Sequence, residues 1–493
     1  MPPRHWTRRS FLASAAAAAL APAARGQVPL DFLDRESYIH NMQLLAHHFP
    51  GQNRPGKMQM MAHGDRRYLF QMIFSKVKWN FLQASGQIVD VTDPLNPEVV
   101  NSTGFLSFSI QVVRHAASGR WVMMTSEGGP RGIPVLRGVR FLDVTDPLNV
   151  TEISRYSADG GDPRRMMQEG SGTHRDYWDG GRYAYIGTCP NDEFYFPDKA
   201  QGLSDQTRSL QILDLADLEN PKKVGEWWVA GQHRDESEAR DRWRSKGDPF
   251  AFDNFHGPMY VPRRVEDGGR YGYGGWGTFG MLIHDLSDPT RPRQVGHWDT
   301  EEYIPGPMMP HHTVDVTRLD RGFVITSPES IASDCAETWQ DTWIVDVADP
   351  TAPRAISKLP VPEAPPGAPY DSFCQKRGRF GVHNAPHVKA PGRPDPNFTA
   401  YTYFNGGLQC YDIRDPETPR ISAWFVPPQA GEIADPATHE RSADSVFIEW
   451  DRRLIWLGSS SGLHLLASPE LGDPVLEPLA VSSWSLPGLN LGA

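Results

Sequence analysis

The sequence predicts an all-β protein, a seven-bladed β-propeller built from four-stranded blades. One strand-and-turn motif recurs along the chain, with its first aspartates 53 to 71 residues apart. That spacing holds four short strands and their connections. Glycine (45) and proline (44) are abundant and aromatic residues make up 11% of the chain, which is typical of many short strands joined by tight turns.

The repeated motif is an apolar strand that ends in aspartate, followed by a turn with a second aspartate and usually a proline. The second aspartate can cap the turn through its side chain, and proline presets the turn. A hairpin before the motif and a strand after it complete four strands. Six clear copies, and a seventh that lacks the Asp-Pro turn, occur at Ile88–Pro97, Phe141–Pro147, Ile212–Pro221, Ile283–Pro292, Ile344–Pro353, Tyr411–Pro419 and Gly462–Leu466.

The motif, as in Ile88-Val-Asp90-Val-Thr-Asp-Pro, resembles the repeat of the LVIVD family of propeller proteins. The resemblance covers nearly the whole chain after its N-terminal segment and implies the propeller fold. It implies little about activity, because propellers carry many unrelated functions.

A propeller must close its ring, and two segments compete for the outer place of the last blade. Asn41–Ala46 is typical of an outer strand, and Pro474–Trp484 offers the same from the other end of the chain. We therefore divide the chain into a leader at 1–26, a segment at 27–57 that is one candidate for the closing strand, and the propeller at 58–493.

The leader has the features of an export signal. Arg8 and Arg9 are followed by Phe11 and Leu12, and then by a short run of small apolar residues. A charged start, a short apolar stretch and small residues before a cleavage site indicate a signal peptide, and paired arginines indicate the twin-arginine route. We expect a periplasmic or secreted protein.

The charge of the chain narrows its partners. Residues 1–26 carry four arginines and no acidic residue, so their removal changes the net charge from −11 to −15. A strongly acidic surface argues against nucleic acid and anionic membranes as partners. No segment after the leader reaches the length of a membrane span. A small molecule is the expected partner, and the sequence leaves the oligomeric state open.

The four cysteines form no CxxC pair, which argues against zinc-ribbon and thioredoxin-like sites. Cys410 lies in an apolar strand and is expected to be a buried thiol. Cys335 and Cys374 lie in loops of neighbouring repeats, and an oxidising compartment permits a disulfide between them. The sequence does not decide whether this bond forms.

Histidines recur near the first strand of successive blades, and the repeat register assigns them to two faces. His63 and His115 precede a hairpin turn directly, which places them at the Asp-Pro face. Four others precede their hairpins by several residues, which places them at the start of the first strand in blades three to six. These four are His174, His256, His312 and His383, and Asp444 is the candidate for the equivalent place in blade seven.

Four imidazoles at one mouth of the channel suit a transition metal. Copper or iron is favoured, with zinc or manganese as alternatives, because imidazole binds all of these ions. A slip of register by one residue would replace His312 by His311, and His387 is a second spare candidate. Histidines that simply bond water or backbone at a polar channel mouth are the alternative.

Acidic residues at the same face are candidates for proton transfer. Glu329 and Glu127 follow second strands there, while Glu169 and Arg175 flank His174 and are expected to be solvated loop charges. We therefore expect a metal-dependent oxidoreductase that acts on a small organic or aromatic substrate. A metal-assisted lyase or hydrolase is one alternative. A non-catalytic binding or assembly scaffold at the cell envelope is the other.

Overall fold

The structure is a computed structural model that describes residues 36–48, 53–75, 85–103, 109–129, 134–194, 208–244, 255–300, 309–376, 378–429 and 443–486. The twin-arginine segment lies outside these residues. The described strands form seven small antiparallel sheets. Inner strands of several neighbouring blades contact each other, and β26 of the last blade (Ala443–Glu449) contacts β3 of the first (Asn53–His63), which closes the ring. The predicted seven-bladed propeller is confirmed.

The strands fall into blades in chain order, each from the channel outward. The first described strands are β1 (Tyr38–His40) and β2 (Gln43–His48), which join the last two blades. Blade one has β3 (Asn53–His63), β4 (Arg66–Ser75), β5 (Ser85–Asp90) and β6 (Glu98–Thr103). Blade two has β7 (Ser109–Arg114), β8 (Trp121–Glu127), β9 (Gly138–Asp143) and β10 (Thr151–Ser157). Blade three has β11 (Gly172–Thr173), β12 (Tyr177–Trp178), β13 (Tyr183–Cys189), β14 (Ser209–Asp214) and β15 (Lys222–Trp228).

The later blades follow the same plan. Blade four has β16 (Tyr271–Gly275), β17 (Met281–Asp285) and β18 (Arg293–Trp298), and blade five has β19 (Met309–Asp315), β20 (Phe323–Glu329), β21 (Trp343–Asp346) and β22 (Arg354–Lys358). Blade six has β23 (Phe398–Thr402), β24 (Leu408–Asp412) and β25 (Arg420–Val426), and blade seven has β26 (Ala443–Glu449), β27 (Leu454–Ser459) and β28 (Gly462–Ala467). The helices among the described residues are α1 (Ser237–Arg244) and short 3₁₀ turns at Val265–Asp267, Gly277–Phe279, Leu319–Arg321 and Pro469–Leu471. No helix among the described residues is long and apolar enough to cross a membrane.

The aspartates of the repeat cap their turns as expected. Asp93 Oδ1 accepts the backbone N–H of Leu95 at 3.0 Å, and Asp90 Oδ1 accepts that of Thr92 at 2.9 Å. A short carboxylate that bonds the backbone two residues on stabilises a tight turn. The same pair of contacts recurs in the other clear copies of the motif.

The N-terminal segment supplies the outer strand of the last blade. β2 pairs antiparallel with β28, and β1 adds a further strand beside β25 in blade six. The other candidate for this place, Pro474–Trp484, lies elsewhere. Val475 N donates to Arg452 O at 2.9 Å, and Trp484 bridges to Pro391. The two ends of the chain therefore hold the last blades together.

The first strands of the blades around the histidines are irregular. In blade three this strand is split into β11 and β12, and in blades four and six the chain at 255–261 and 380–388 runs along the sheet with only isolated contacts, such as Tyr260 with Tyr273. In blade five the pairing of β19 with β20 shifts register between Met309 and Thr313. Such breaks re-aim side chains next to functional sites.

Tryptophans of the outer strands pack between blades. Trp227 of blade three lies 5.0 Å from Trp276 of blade four, and Trp298 of blade four lies 5.3 Å from Trp343 of blade five, measured between ring centroids. Aromatic pairs at such separations contribute beyond their buried area.

The structure divides the four cysteines into two pairs. Cys335 and Cys374 form a disulfide, while Cys410 and Cys189 are buried. Burial raises the pKa of Cys410. The disulfide joins the loop after β20 to the chain that enters blade six.

Candidate metal centre

Four histidines from four consecutive blades meet at one mouth of the channel. Between ring centroids, His174 lies 4.4 Å from His256, His256 lies 4.8 Å from His312, and His312 lies 5.5 Å from His383. All four side chains are buried. The structure thus brings together the four residues that the repeat register places at the start of the first strands.

Glu329, the last residue of β20, lies among these imidazoles. Its carboxylate oxygens lie 3.4 Å from His256 Nε2, 3.2 Å from His312 Nε2 and 3.7 Å from His383 Nε2. Arg379 Nη1 donates to the same carboxylate at 3.0 Å. The ligand atoms of His256, His312 and Glu329 all lie within 4.8 Å of one another, which makes these three residues a group that could hold one metal ion.

Outer partners orient the imidazoles. Thr313 Oγ1 lies 2.7 Å from His312 Nδ1, and the Asp444 carboxylate lies 3.1 Å from His383 Nδ1. Phe404 stacks on His383 at 4.7 Å between centroids. A carboxylate at one imidazole nitrogen favours the tautomer whose other nitrogen carries a lone pair. Asp444 is the second residue of β26 in blade seven, in the place that the sequence indicates for it.

Arg175 spans two of the histidines, and its placement corrects the expectation of a solvated loop charge. Its side chain is buried, with Nε 3.4 Å from His174 Nε2, Nη2 3.1 Å from His383 Nε2 and Nη1 3.1 Å from Asn384 Oδ1. In this arrangement an arginine N–H, rather than the carboxylate, is the nearest partner of His383 Nε2.

Burial sets the ionisation of the cluster. It lowers the pKa of His174 and His312 well below the ordinary value and that of His383 to about 3, so these imidazoles are neutral near pH 7. Burial alone would raise the pKa of Glu329, but its contacts with His383, His256 and His312 outweigh burial and lower that pKa. Neutral imidazoles beside a carboxylate are the protonation states that bind a cation.

The other candidates lie away from the cluster. Glu127 ends β8 and contacts Arg140 and Thr125. His311 turns away to Asp299 and Thr326, both at 3.0 Å, so His312 is the one that faces the channel. His387 contacts the backbone of Lys389. His115 contacts Ser118 at its hairpin turn, and His63 ends β3 at the Asp-Pro face.

Arg379 is a site residue for which the sequence gives no signal. It lies after a long insertion, and the disulfide, the β-bridge between Ser333 and Arg379 and the hydrogen bond from Asp334 N to Gly378 O hold it near Glu329. Arg175 carries a weak signal, because it directly follows a cluster histidine.

Comparison with known proteins leaves the function of this chain open. No protein-family model and no curated protein matches the sequence. Structural comparison matches 725 solved chains, among them Sqt1 of Saccharomyces cerevisiae, with a TM-score of 0.46, 8% identity, and coverage of 87% of this chain and 99% of that chain. A likeness of this size carries no argument about function.

Proposed function

We propose that the protein binds one transition metal ion through His256, His312 and Glu329 and works as a metal-dependent oxidoreductase on a small organic substrate. The observation that carries this proposal is the convergence of these three ligand atoms within 4.8 Å, at the mouth of a channel. Metal sites recur where such side chains converge in a buried, polar place.

The geometry of the group fits a metal ion. Bonds from nitrogen or carboxylate oxygen to zinc are about 2 Å, so neighbouring ligand atoms lie roughly 3 Å apart. The contacts of Glu329 with His312 and His256, at 3.2 and 3.4 Å, already have this separation. His312 Nε2 is buried and, although close to the carboxylate, lacks the alignment of a hydrogen bond. A cation between these atoms would satisfy that nitrogen.

The three ligand residues narrow the choice of metal. Two imidazoles and a carboxylate are typical of non-haem iron sites with open positions, and also occur in catalytic zinc sites. A carboxylate ligand therefore favours iron, zinc or manganese over the copper that a histidine-only site would suit. Identification of the metal separates the oxidoreductase from a zinc-dependent hydrolase or lyase.

The surrounding residues support such chemistry. A bound metal would polarise or activate substrate at its open positions. Arg379 balances and orients the Glu329 carboxylate, and Asp444 and Thr313 orient imidazoles from behind. Burial of all these groups keeps bulk water from the site and strengthens each electrostatic contact.

The proposal also covers where the protein works and the family to which it belongs. The paired arginines at positions 8 and 9 support transport of the folded protein to the periplasm or beyond, and the repeat supports membership of the LVIVD-repeat propellers. A twin-arginine route is compatible with a metal acquired before export.

Elemental analysis of the purified protein tests the proposal. We expect about one equivalent of iron, zinc or manganese in the wild type and less than a tenth in His256→Ala. His115→Ala, which removes a buried histidine at the opposite face, is the matched control and should keep the metal. Wild-type protein with less than a tenth of an equivalent of any transition metal, and no gain on reconstitution, would leave the scaffold alternative.

A further inference from the structure

The channel contains a cavity of about 40 Å³ beside the histidine cluster. Three of its lining residues each follow a cluster histidine in the chain: Arg175 follows His174, Thr313 follows His312, and Asn384 follows His383. The cavity is therefore built by the same irregular strands that position the imidazoles, one residue further along each of them.

The lining of this cavity is positively charged. Arg175 and Lys57 both line it, and none of the described residues around it is acidic. Both cations contact Asn384 Oδ1, which is a neutral amide oxygen. Two like charges that meet beside a cavity without an acidic lining residue create a positive potential there.

The arginine is held in a fixed orientation. His174, His383 and Asn384 contact its Nε, Nη2 and Nη1 atoms respectively, at 3.1 to 3.4 Å. Two of the four cluster histidines thus position the arginine, while His256 and His312 face Glu329.

We propose that this cavity binds the carboxylate group of the substrate, with Arg175 and Lys57 as its cationic partners. The inference rests on the proposed function, since it places the rest of the substrate toward His256, His312 and Glu329. A volume of about 40 Å³ is close to that of one or two water molecules, which suits a carboxylate group and excludes a whole aromatic ring. Charge-assisted contacts to guanidinium are strong and directional.

Calorimetric titration with sodium acetate tests this assignment, with acetamide as the neutral analogue and inorganic phosphate as the competing oxyanion. All titrations use equal ionic strength, both on chelator-treated protein and on protein loaded with its metal, and the metal content of each sample is measured. We expect one acetate per chain and no detectable acetamide binding. Arg175→Gln and Lys57→Gln should each weaken acetate binding about tenfold or more.

Arg182→Gln, which changes an exposed arginine paired with Asp214, is the control and should bind acetate like the wild type. Lys57 is only partly buried, so its variant tests the proposal even if Arg175→Gln does not fold. Equal binding of acetate and acetamide, unchanged acetate affinity in both variants, or tighter binding of phosphate than of acetate would overturn the assignment.

The same titrations separate this inference from the metal proposal. Acetate binding that depends on Arg175 and Lys57 in protein that never holds a metal would keep the carboxylate site and reject the metal centre. One equivalent of metal without acetate binding would keep the metal centre and reject the carboxylate site.

Discussion

Glu127 and Glu329 occupy the same place in two blades but have different surroundings. Each is the last residue of a second strand, β8 in blade two and β20 in blade five, and each is buried. Glu127 contacts Arg140 of the adjacent strand β9, whereas Glu329 contacts histidines from three blades and Arg379. The repeat supplies a buried carboxylate at the mouth, and the neighbouring first strands decide whether it belongs to a site.

The pKa values of the two carboxyls shift in opposite directions. Burial raises the pKa of Glu127, because the contacts with Arg140 and Thr125 offset only part of the desolvation. For Glu329 the surrounding contacts outweigh burial and lower the pKa. A buried carboxyl that stays ionised is suited to bind a cation, and one that tends to protonate is not.

The largest expected difference is in metal content. Glu329→Gln removes a charged oxygen ligand without changing shape, so we expect metal occupancy to fall at least tenfold, whereas Glu127→Gln should keep the wild-type level. Elemental analysis of both purified variants measures this. Similar metal loss in the two variants would show that the contrast between the carboxylates has no bearing on binding.

We expect the four cluster histidines to form two pairs that differ in how far their removal lowers metal affinity. His256→Ala and His312→Ala remove nitrogens that face Glu329 and should abolish metal binding, while His174→Ala and His383→Ala should weaken metal affinity by about tenfold to a hundredfold. The latter two should instead reduce acetate binding, since those imidazoles contact Arg175. Competition with a chromophoric chelator gives the four affinities. Equal loss in all four variants would favour a site with four histidine ligands.

We expect the disulfide to matter for Glu329 but not for Glu127. Glu127 contacts Arg140 of its own sheet, whereas the arginine that contacts Glu329 lies in the chain that enters blade six. Asp334 N donates to Gly378 O at 2.7 Å and Ser333 bridges to Arg379, so the Cys335–Cys374 bond holds Arg379 against Glu329. Replacing both cysteines with serine should lower metal affinity about tenfold. It should also destabilise the fold by roughly 3–4 kcal/mol for a loop of this length.

Chelator competition and thermal unfolding measure these two effects. Cys410→Ser, which changes a buried thiol of blade six, is the control: it should leave metal affinity unchanged. Wild-type metal affinity in the double variant would show that the loop holds Arg379 in place without the disulfide.

The fold and the positions of the four cluster histidines were predictable because they follow from local rules. The Asp-Pro turns give the blade register, and the register assigns His63 and His115 to one face and the four cluster histidines to the other. Arg379 and the outer strand β1 depend on long-range packing, and nothing in their local sequence reports it. The ligand-like position of Glu329 depends on its surroundings, since Glu127 has the same local register. The orientation of Arg175 depends on a broken strand, which periodicity does not reveal.

The smallest expected effect is the pH dependence of stability at Glu127. A carboxyl whose pKa is raised in the folded state contributes stability below its ordinary pKa, and this contribution is lost as pH rises through the folded pKa. Glutamine cannot ionise, so Glu127→Gln should gain stability relative to the wild type as pH rises from about 4 toward neutrality. The change should be on the order of 1 kcal/mol.

Denaturant unfolding of both proteins at several pH values measures the difference. Glu152→Gln is the matched control on the neighbouring strand β10, because a hydrogen bond from Arg155 lowers the pKa of Glu152. The difference in unfolding free energy between Glu152→Gln and the wild type should have the opposite sign, because the wild type loses its extra stability as pH falls. Parallel curves for Glu127→Gln and the wild type would mean that Arg140 fully offsets burial. The contrast between the two carboxyls would then lie in their neighbours and in the lowered pKa of Glu329, not in a raised pKa of Glu127.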